Sequence, residues 1–407
     1  MSPRKHYLIP IITITYILLI LIGSIYPFTD WHWPTEGGWL DSFENTTRYV
    51  PRSDFIVNFL IYIPLGALAS ILLQNRINLY FLLLTSTCVA SGIGATMELL
   101  QLFIPSRAHS LIDLSMNASG ALAGALTHHF TKKHSILGKH LRQIRYKWFK
   151  KGRYSELGLV IIAIWALSEL SPLAPSLDLN TIILDYNNFT KDLFNLSAWN
   201  YFSIMAFALE IFALFLIIEL VLKAKSNCLI IFGAFACMII YMKLPVADTH
   251  LSAEHFWGLI IGIALNFSLQ NRTIELRTKL VMYALFLTYL INQLNHPAQL
   301  PTDSLNTFNW LPFDSDAKRI NRVTEILNIT WIFLALSFLT LSIKQKKLKR
   351  NGAIGLIVAT IVALILEWQQ QTLQNSSADI TDVLVAMFAW SLPYFHPEIR
   401  KGVNHQQ

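Results

Sequence analysis

Charge is scarce in this chain. Of its 407 residues only 14% are Asp, Glu, Lys or Arg, where a soluble domain carries about 25%. A chain of this length that folded in water would need more polar surface. The same shortage excludes a nucleic-acid-binding arm, and the apolar content excludes intrinsic disorder. Cysteine is also rare: Cys88, Cys228 and Cys237 each lie inside an apolar run, where the thiol behaves as a small hydrophobe. With no CxxC or Cys/His spacing, neither a disulfide framework nor a zinc site is supported. No nucleophile motif, metal triad or glycine-rich phosphate loop occurs, and no cofactor is expected.

What the chain has in excess is apolar sequence, 54% of residues, with a mean hydropathy of +0.45. A spanning helix needs roughly 17–25 mostly apolar residues. The runs that fit are Tyr7–Phe28, Phe55–Leu73, Leu79–Phe103, Leu111–Phe130, Leu157–Leu173, Tyr201–Leu222, Asn227–Met242, Leu251–Leu269, Leu280–Leu294, Val323–Ile343, Ala353–Trp368 and Ile380–Phe395. The expected fold is therefore all-α: a polytopic membrane helix bundle of about twelve transmembrane helices. The first run follows Arg4 and Lys5 as a signal sequence would. No small-residue cleavage site follows it, so it reads as a retained span.

The basic residues orient this ladder. With the N-terminus inside, only Arg48, Arg52, Arg107, Lys191, Lys243, Lys318, Arg319 and Arg322 of the 32 Lys and Arg fall outside. Such a bias marks cytoplasmic loops and supports an even number of spans with both termini in the cytoplasm. The net charge of +7 is then mostly orientation. Trp31, Trp33, Trp39, Trp199 and Trp310 near the outer span ends fit interfacial aromatics. The basic stretch Lys132–Arg153 reads as a charged cytoplasmic linker, with an interfacial helix as the other reading. The outer connections Thr29–Asp54 and Ser176–Asn200 are long for simple loops and read as lids or partner surfaces.

A repeat emerges from the polar residues inside these runs. Glu98, Gln101 and Asp113 are matched at one common offset by Glu367, Gln370 and Asp382. Arg52 and Asn58 are matched, one residue further on, by Arg322 and Asn328. Gly120 and Gly124 are echoed by Gly258 and Gly262, with Glu254 and His255 in place of the polar pair. The expected organisation is a four-helix unit at 1–130, the basic linker at 131–153, a divergent four-helix unit at 154–270 and a third unit at 278–398.

The first unit carries the densest polar set. Glu98 and Gln101 are three apart and share a helix face. Pro105 fits a helix stop, and Ser110 fits the cap of the next helix with Asp113 three residues on. Asp113 and Asn117, four apart, share the next face. Gly120 and Gly124 form GxxxG, which permits close helix contact, and Gly92 and Gly94 offer a matching surface on the preceding helix. That packing is expected to gather Arg52, Asn58, Glu98, Gln101, Arg107, His109, Asp113 and Asn117 at the outer membrane face. Elsewhere, Glu219 is expected to snorkel to the cytoplasmic interface, Glu210 to be protonated or paired, and His255 to pair with Glu254.

The run from Glu98 to Gly124, ELLQLFIPSRAHSLIDLSMNASGALAG, with Asn58 in the helix before it, resembles the VanZ-like family over about residues 5–130. The third unit follows it more faintly, with Ser376 for Arg107, Ala386 for Asn117, and Ala389 and Pro393 for the glycines. The resemblance implies a bacterial envelope protein associated with teicoplanin and other glycopeptide tolerance or with surface polysaccharide. It implies no settled reaction. Three functions stay open: binding of a lipid-linked saccharide or other cell-wall ligand at the outer face, acid–base enzymology there with Glu98 or Asp113 as base and His109 as its partner, and transport of an envelope metabolite. A purely structural clasp between helices is the competing reading of the same residues. The expected partners are membrane lipids and such a ligand, with no nucleic acid.

Overall fold

The computed structural model describes residues 52–74, 78–101, 111–132, 135–171, 179–224, 228–244, 249–294, 308–310, 321–343, 348–370 and 380–395, with Phe103, Val246 and eight scattered positions from Pro10 to Ser24. The described residues are helical almost throughout. Two compact units divide the chain, Met1–Arg145 and Tyr146–Gln407.

In the first unit, α1 (Arg52–Leu73), α2 (Leu79–Gln101) and α3 (Leu111–Thr131) follow three of the apolar runs. Ile20, Tyr62, Leu65, Ala90, Met97 and Ala121 form their shared core. The tightest contact is between α1 and α3. A Cβ on Gly120 would stand 2.1 Å from the Phe59 carbonyl oxygen, and one on Gly124 would stand 1.9 Å from that of Ile63. From the other side, a Cβ on Gly66 would meet the Ala121 oxygen at 2.0 Å. Glycine is thus the only residue that lets these backbones meet. This corrects the expected pairing: the GxxxG face seats α1 and not α2. Gly92 of α2 has no neighbour within 4 Å, whereas Gly94 does face α3.

After α3 comes α4 (Ile136–Trp148), an amphipathic helix that exposes Ile136, Leu137, Leu141 and Ile144 beside its Lys and Arg residues. The stretch read as a linker is therefore helical.

The second unit holds α5 (Arg153–Glu169), α6 (Leu179–Asp192), α7 (Tyr201–Val221), α8 (Cys228–Met242), α9 (Ala253–Ser268), α10 (Ile274–Leu294), α11 (Asn321–Ser342), α12 (Leu348–Gln370) and α13 (Thr381–Phe395). The eight expected runs from Leu157–Leu173 to Ile380–Phe395 contain one helix each, and α6 is the ninth helix of this unit. That helix and a short 3-10 turn, Leu196–Ala198, occupy the connection read as a long loop. Two helices are central. α7 is buried almost throughout from Ala206 to Val221, its N-terminus capped by the Asn200 side chain, which accepts from the Phe202 and Ser203 amides at 3.1 and 3.2 Å. α11 is buried almost continuously from Ile329 to Leu341.

Around these two axes the packing is reciprocal. α9 lies on α7 and α13 lies on α11. α5 packs more extensively on α11 than on its neighbour in sequence, α7, and α10 packs more extensively on α7 than on α11. Small residues again allow the approach. Gly258 and Gly262 of α9 admit Phe207, Ala208 and Ile211 of α7, and Gly158 of α5 admits Val221 and Phe338, beside the Tyr154–Phe338 ring stack at 4.1 Å.

Among the described residues, four helices are long and apolar enough to cross a membrane: Leu79–Gln101, Tyr201–Val221, Thr324–Ser342 and Arg350–Gln369. Asn58–Leu73 and Cys228–Met242 are shorter apolar segments. All three cysteines are free.

The glycine contacts generate a sharp contrast. Gly124→Ala should lower the thermal stability of the detergent-purified chain by about 1–3 kcal/mol, because the new methyl forces α1 from α3. Gly92→Ala, facing open space, should stay within about 0.5 kcal/mol of the parent.

Candidate functional site

Three helices bring the buried polar groups of the first unit to one end of the bundle. Glu98, in the last turn of α2, is buried, as are Asp113, in the first turn of α3, and Asn117 one turn later. A buried carboxylate near a helix N-terminus gains from the local dipole, which suits Asp113. Gly94 makes room for Asn117: a Cβ there would stand 3.0 Å from Asn117 Nδ2 and 3.2 Å from Tyr62 Cε1. Tyr62, on α1, is within electrostatic reach of Glu98 and of Tyr16 in the first apolar run. Asn117 Oδ1 is buried with no hydrogen-bond partner among the described residues, a costly state for an amide oxygen. Tyr62, Gly94, Glu98 and Asn117 thus meet at the junction of α1, α2 and α3.

Asn58 is half-buried, one turn before Tyr62 on α1. Gln101, the last residue of α2, turns to the first run, its Nε2 donating to the Ser24 carbonyl at 3.1 Å. Arg107 and His109 lie outside the described residues, and so does the side chain of Arg52, the first residue of α1. Tyr62 is the member that the sequence reading missed. Its spacing of four from Asn58 was the available signal, hidden because a tyrosine in an apolar run looks like core. Among the described residues, no group of three or more His, Cys, Asp or Glu is placed to hold a metal ion.

Buried acids also occur among α10 to α13. Glu367 of α12 and Asp382 of α13 are buried, and with Glu325 of α11 they stand within electrostatic reach of the buried Tyr289 of α10. On α7 and α9 two acids behave differently from expectation. Glu219 does not snorkel. It is buried on α7 in a two-pronged pair with Arg277 of α10, Nη1 donating to Oε1 at 3.2 Å and Nη2 to Oε2 at 2.6 Å. The planar guanidinium fork matches a carboxylate in this way. Glu254 does not pair with His255 but accepts from the Asn200 amide at 3.1 Å.

Long apolar helices with polar groups buried between them define a helical membrane protein. Residues 9–132, less than half of the chain, match the family model described as VanZ/LLP1. The match covers the first apolar run and α1 to α3, the helices that bear the polar junction. No curated protein and no solved structure was found to match the chain.

The Glu219–Arg277 pair is open to test by unfolding. Arg277→Met leaves a buried carboxylate without its cation and should cost about 3–5 kcal/mol. Adding Glu219→Leu should recover most of that loss, since two apolar side chains replace a buried pair at little cost. Failure of the double variant to recover would mean that the pair itself is not the source of the loss.

Proposed function

We propose that the VanZ-like unit binds a polar head group, carried by a lipid-linked saccharide or another cell-wall ligand, at the outer face of the bacterial inner membrane. The observation that carries this reading is the junction of α1, α2 and α3. Two carboxylates and an amide are held there in an apolar setting, and the Asn117 oxygen is left without a hydrogen bond among the described residues. Ionisable groups within spans are costly, and they persist chiefly where they serve a function. A hydroxyl-rich ligand would donate to Glu98, Asp113 and Asn117. Arg52, Asn58, Gln101, Arg107 and His109 complete the candidate set, the arginines suiting a phosphate or carboxylate on the same ligand.

The wider organisation belongs to the same proposal: about twelve spans in three quartets, with both termini cytoplasmic. In each quartet the second and fourth helices are in close contact: α1 with α3, α7 with α9, α11 with α13. The reciprocal placement of α5 and α10 supports an equivalence of the second and third quartets. In the first and third, a buried Glu ends the third helix and a buried Asp opens the fourth.

The test is retention of lipid-linked cell-wall precursors, and separately of a glycopeptide, by the full chain purified in lipid nanodiscs. Glu98→Gln and Asn117→Leu should each weaken retention about tenfold or more, a loss of about 1.4 kcal/mol, with the unfolding temperature nearly unchanged. A fall in stability with unchanged retention would establish the clasp and end the ligand reading.

A further inference from the structure

A second polar network lies in the second unit, outside the matched segment. Lys243, just past α8, is its centre: Nζ donates to Glu169 Oε2 at the end of α5, at 2.6 Å, and lies 2.6 Å from His255 Nε2 at the start of α9. The other ring nitrogen, Nδ1, is 2.6 Å from Ser252 Oγ. On α7, Glu210 accepts from Trp165 Nε1 at 3.1 Å. Its charged neighbours are Glu169 and Lys243, and the Asn292 side chain of α10 bonds it from the remaining side.

The donor count fixes most of the protons. An ammonium group only donates, so His255 meets Lys243 with the lone pair of Nε2, and the ring proton sits on Nδ1, facing Ser252. One positive charge on Lys243 balances Glu169. Glu210 is then a second carboxylate, 5% exposed, and among the described residues no second cation faces it. α5 offers it Glu169 and Trp165, the turn after α8 offers Lys243, and α10 offers Asn292, while His255 of α9 faces Lys243. An uncompensated charge in such a place is costly, and one further proton removes that cost. The network also has an open rim. The Glu169 and His255 side chains keep 12% and 21% of their surface, and Ser252 lines a polar cavity of about 300 Å³ with Asp185, His250 and Glu254.

We propose that Glu169, Glu210, Lys243 and His255 form a proton-binding site in which Glu210 is the buried acceptor and His255 the link to water. On loading, an N–H bond of Lys243 breaks as an O–H bond forms on a carboxylate oxygen. Facing a now neutral lysine, His255 takes the tautomer with its proton on Nε2. Nε2 gives that proton to the lysine as Nδ1 accepts one from a hydronium ion at the rim, which leaves as water. One proton is gained and no electrons move. The site is independent of the ligand reading of the first unit and adds a response to pH in a part of the chain that the family match does not reach.

The test is infrared difference spectroscopy of the full chain in nanodiscs across pH, read at the C=O stretch of protonated carboxyl groups. A pH-responsive band should disappear in Glu210→Gln. In Lys243→Met its pH midpoint should move by about one unit or more. In His255→Ala its exchange in heavy water should slow about tenfold or more. A band that survives Glu210→Gln would overturn the proposal. So would an unmoved midpoint in a Lys243→Met chain that unfolds at the parent's temperature. If Glu210→Gln fails to fold, the lysine and histidine variants decide by the same two readouts.

Discussion

Close contact between helices that are not neighbours in sequence, α1 with α3, α7 with α9 and α11 with α13, is the constraint on which the rest of this structure depends. In an apolar solvent, helices gain nothing from hiding hydrophobic side chains, so they associate through close packing and through polar groups. Gly120 and Gly124 let α3 press on the carbonyls of Phe59 and Ile63 until no room remains for a methyl. Once α1 and α3 are locked, Gly94 of α2 can approach Asn117 and Tyr62, and Glu98 is carried to the same level. The polar junction is a consequence of the glycine contact. Without it, the groups would be spread along separate helices.

The second unit solves the same problem at larger scale. α7 and α11 carry almost unbroken apolar surface and are buried by neighbours along most of their length. α10 packs on α7 and α5 packs on α11. This exchange ties the helices into one compact unit, and the Arg277–Glu219 pair crosses that tie at one end. The Thr324–Ser171 hydroxyl bond, at 2.8 Å, joins α11 to the residues after α5.

Much of the fold was legible in hydropathy, because a membrane span writes itself as a continuous apolar run. The helices α1 to α3, α5 and α7 to α13 stand where those runs predict them. Less legible were α4 and α6. Both are amphipathic and short of apolar length, so a hydropathy reading sees a linker and a loop. Of the candidate site, Glu98, Asp113 and Asn117 were visible as polar residues in apolar company. Tyr62 was not, since an aromatic in such a run has no contrast with its surroundings. Lys243 was counted only as an outer-loop charge, and Trp165 only as part of a span. Their roles arise from residues dozens of positions away.

By itself, the sequence determined the solvent, the helices and the short list of polar residues that an apolar solvent makes expensive. Those follow from composition and local spacing, which are properties of contiguous chain. Tertiary structure alone decided the partners. It gave the GxxxG face to α1 instead of α2, turned Glu219 inward to Arg277, and separated His255 from Glu254 to set it against Lys243. The physical reason is common to all three. A helix face specifies what it can contact by size and polarity, but several faces satisfy that demand, and only the simultaneous packing of every helix selects one.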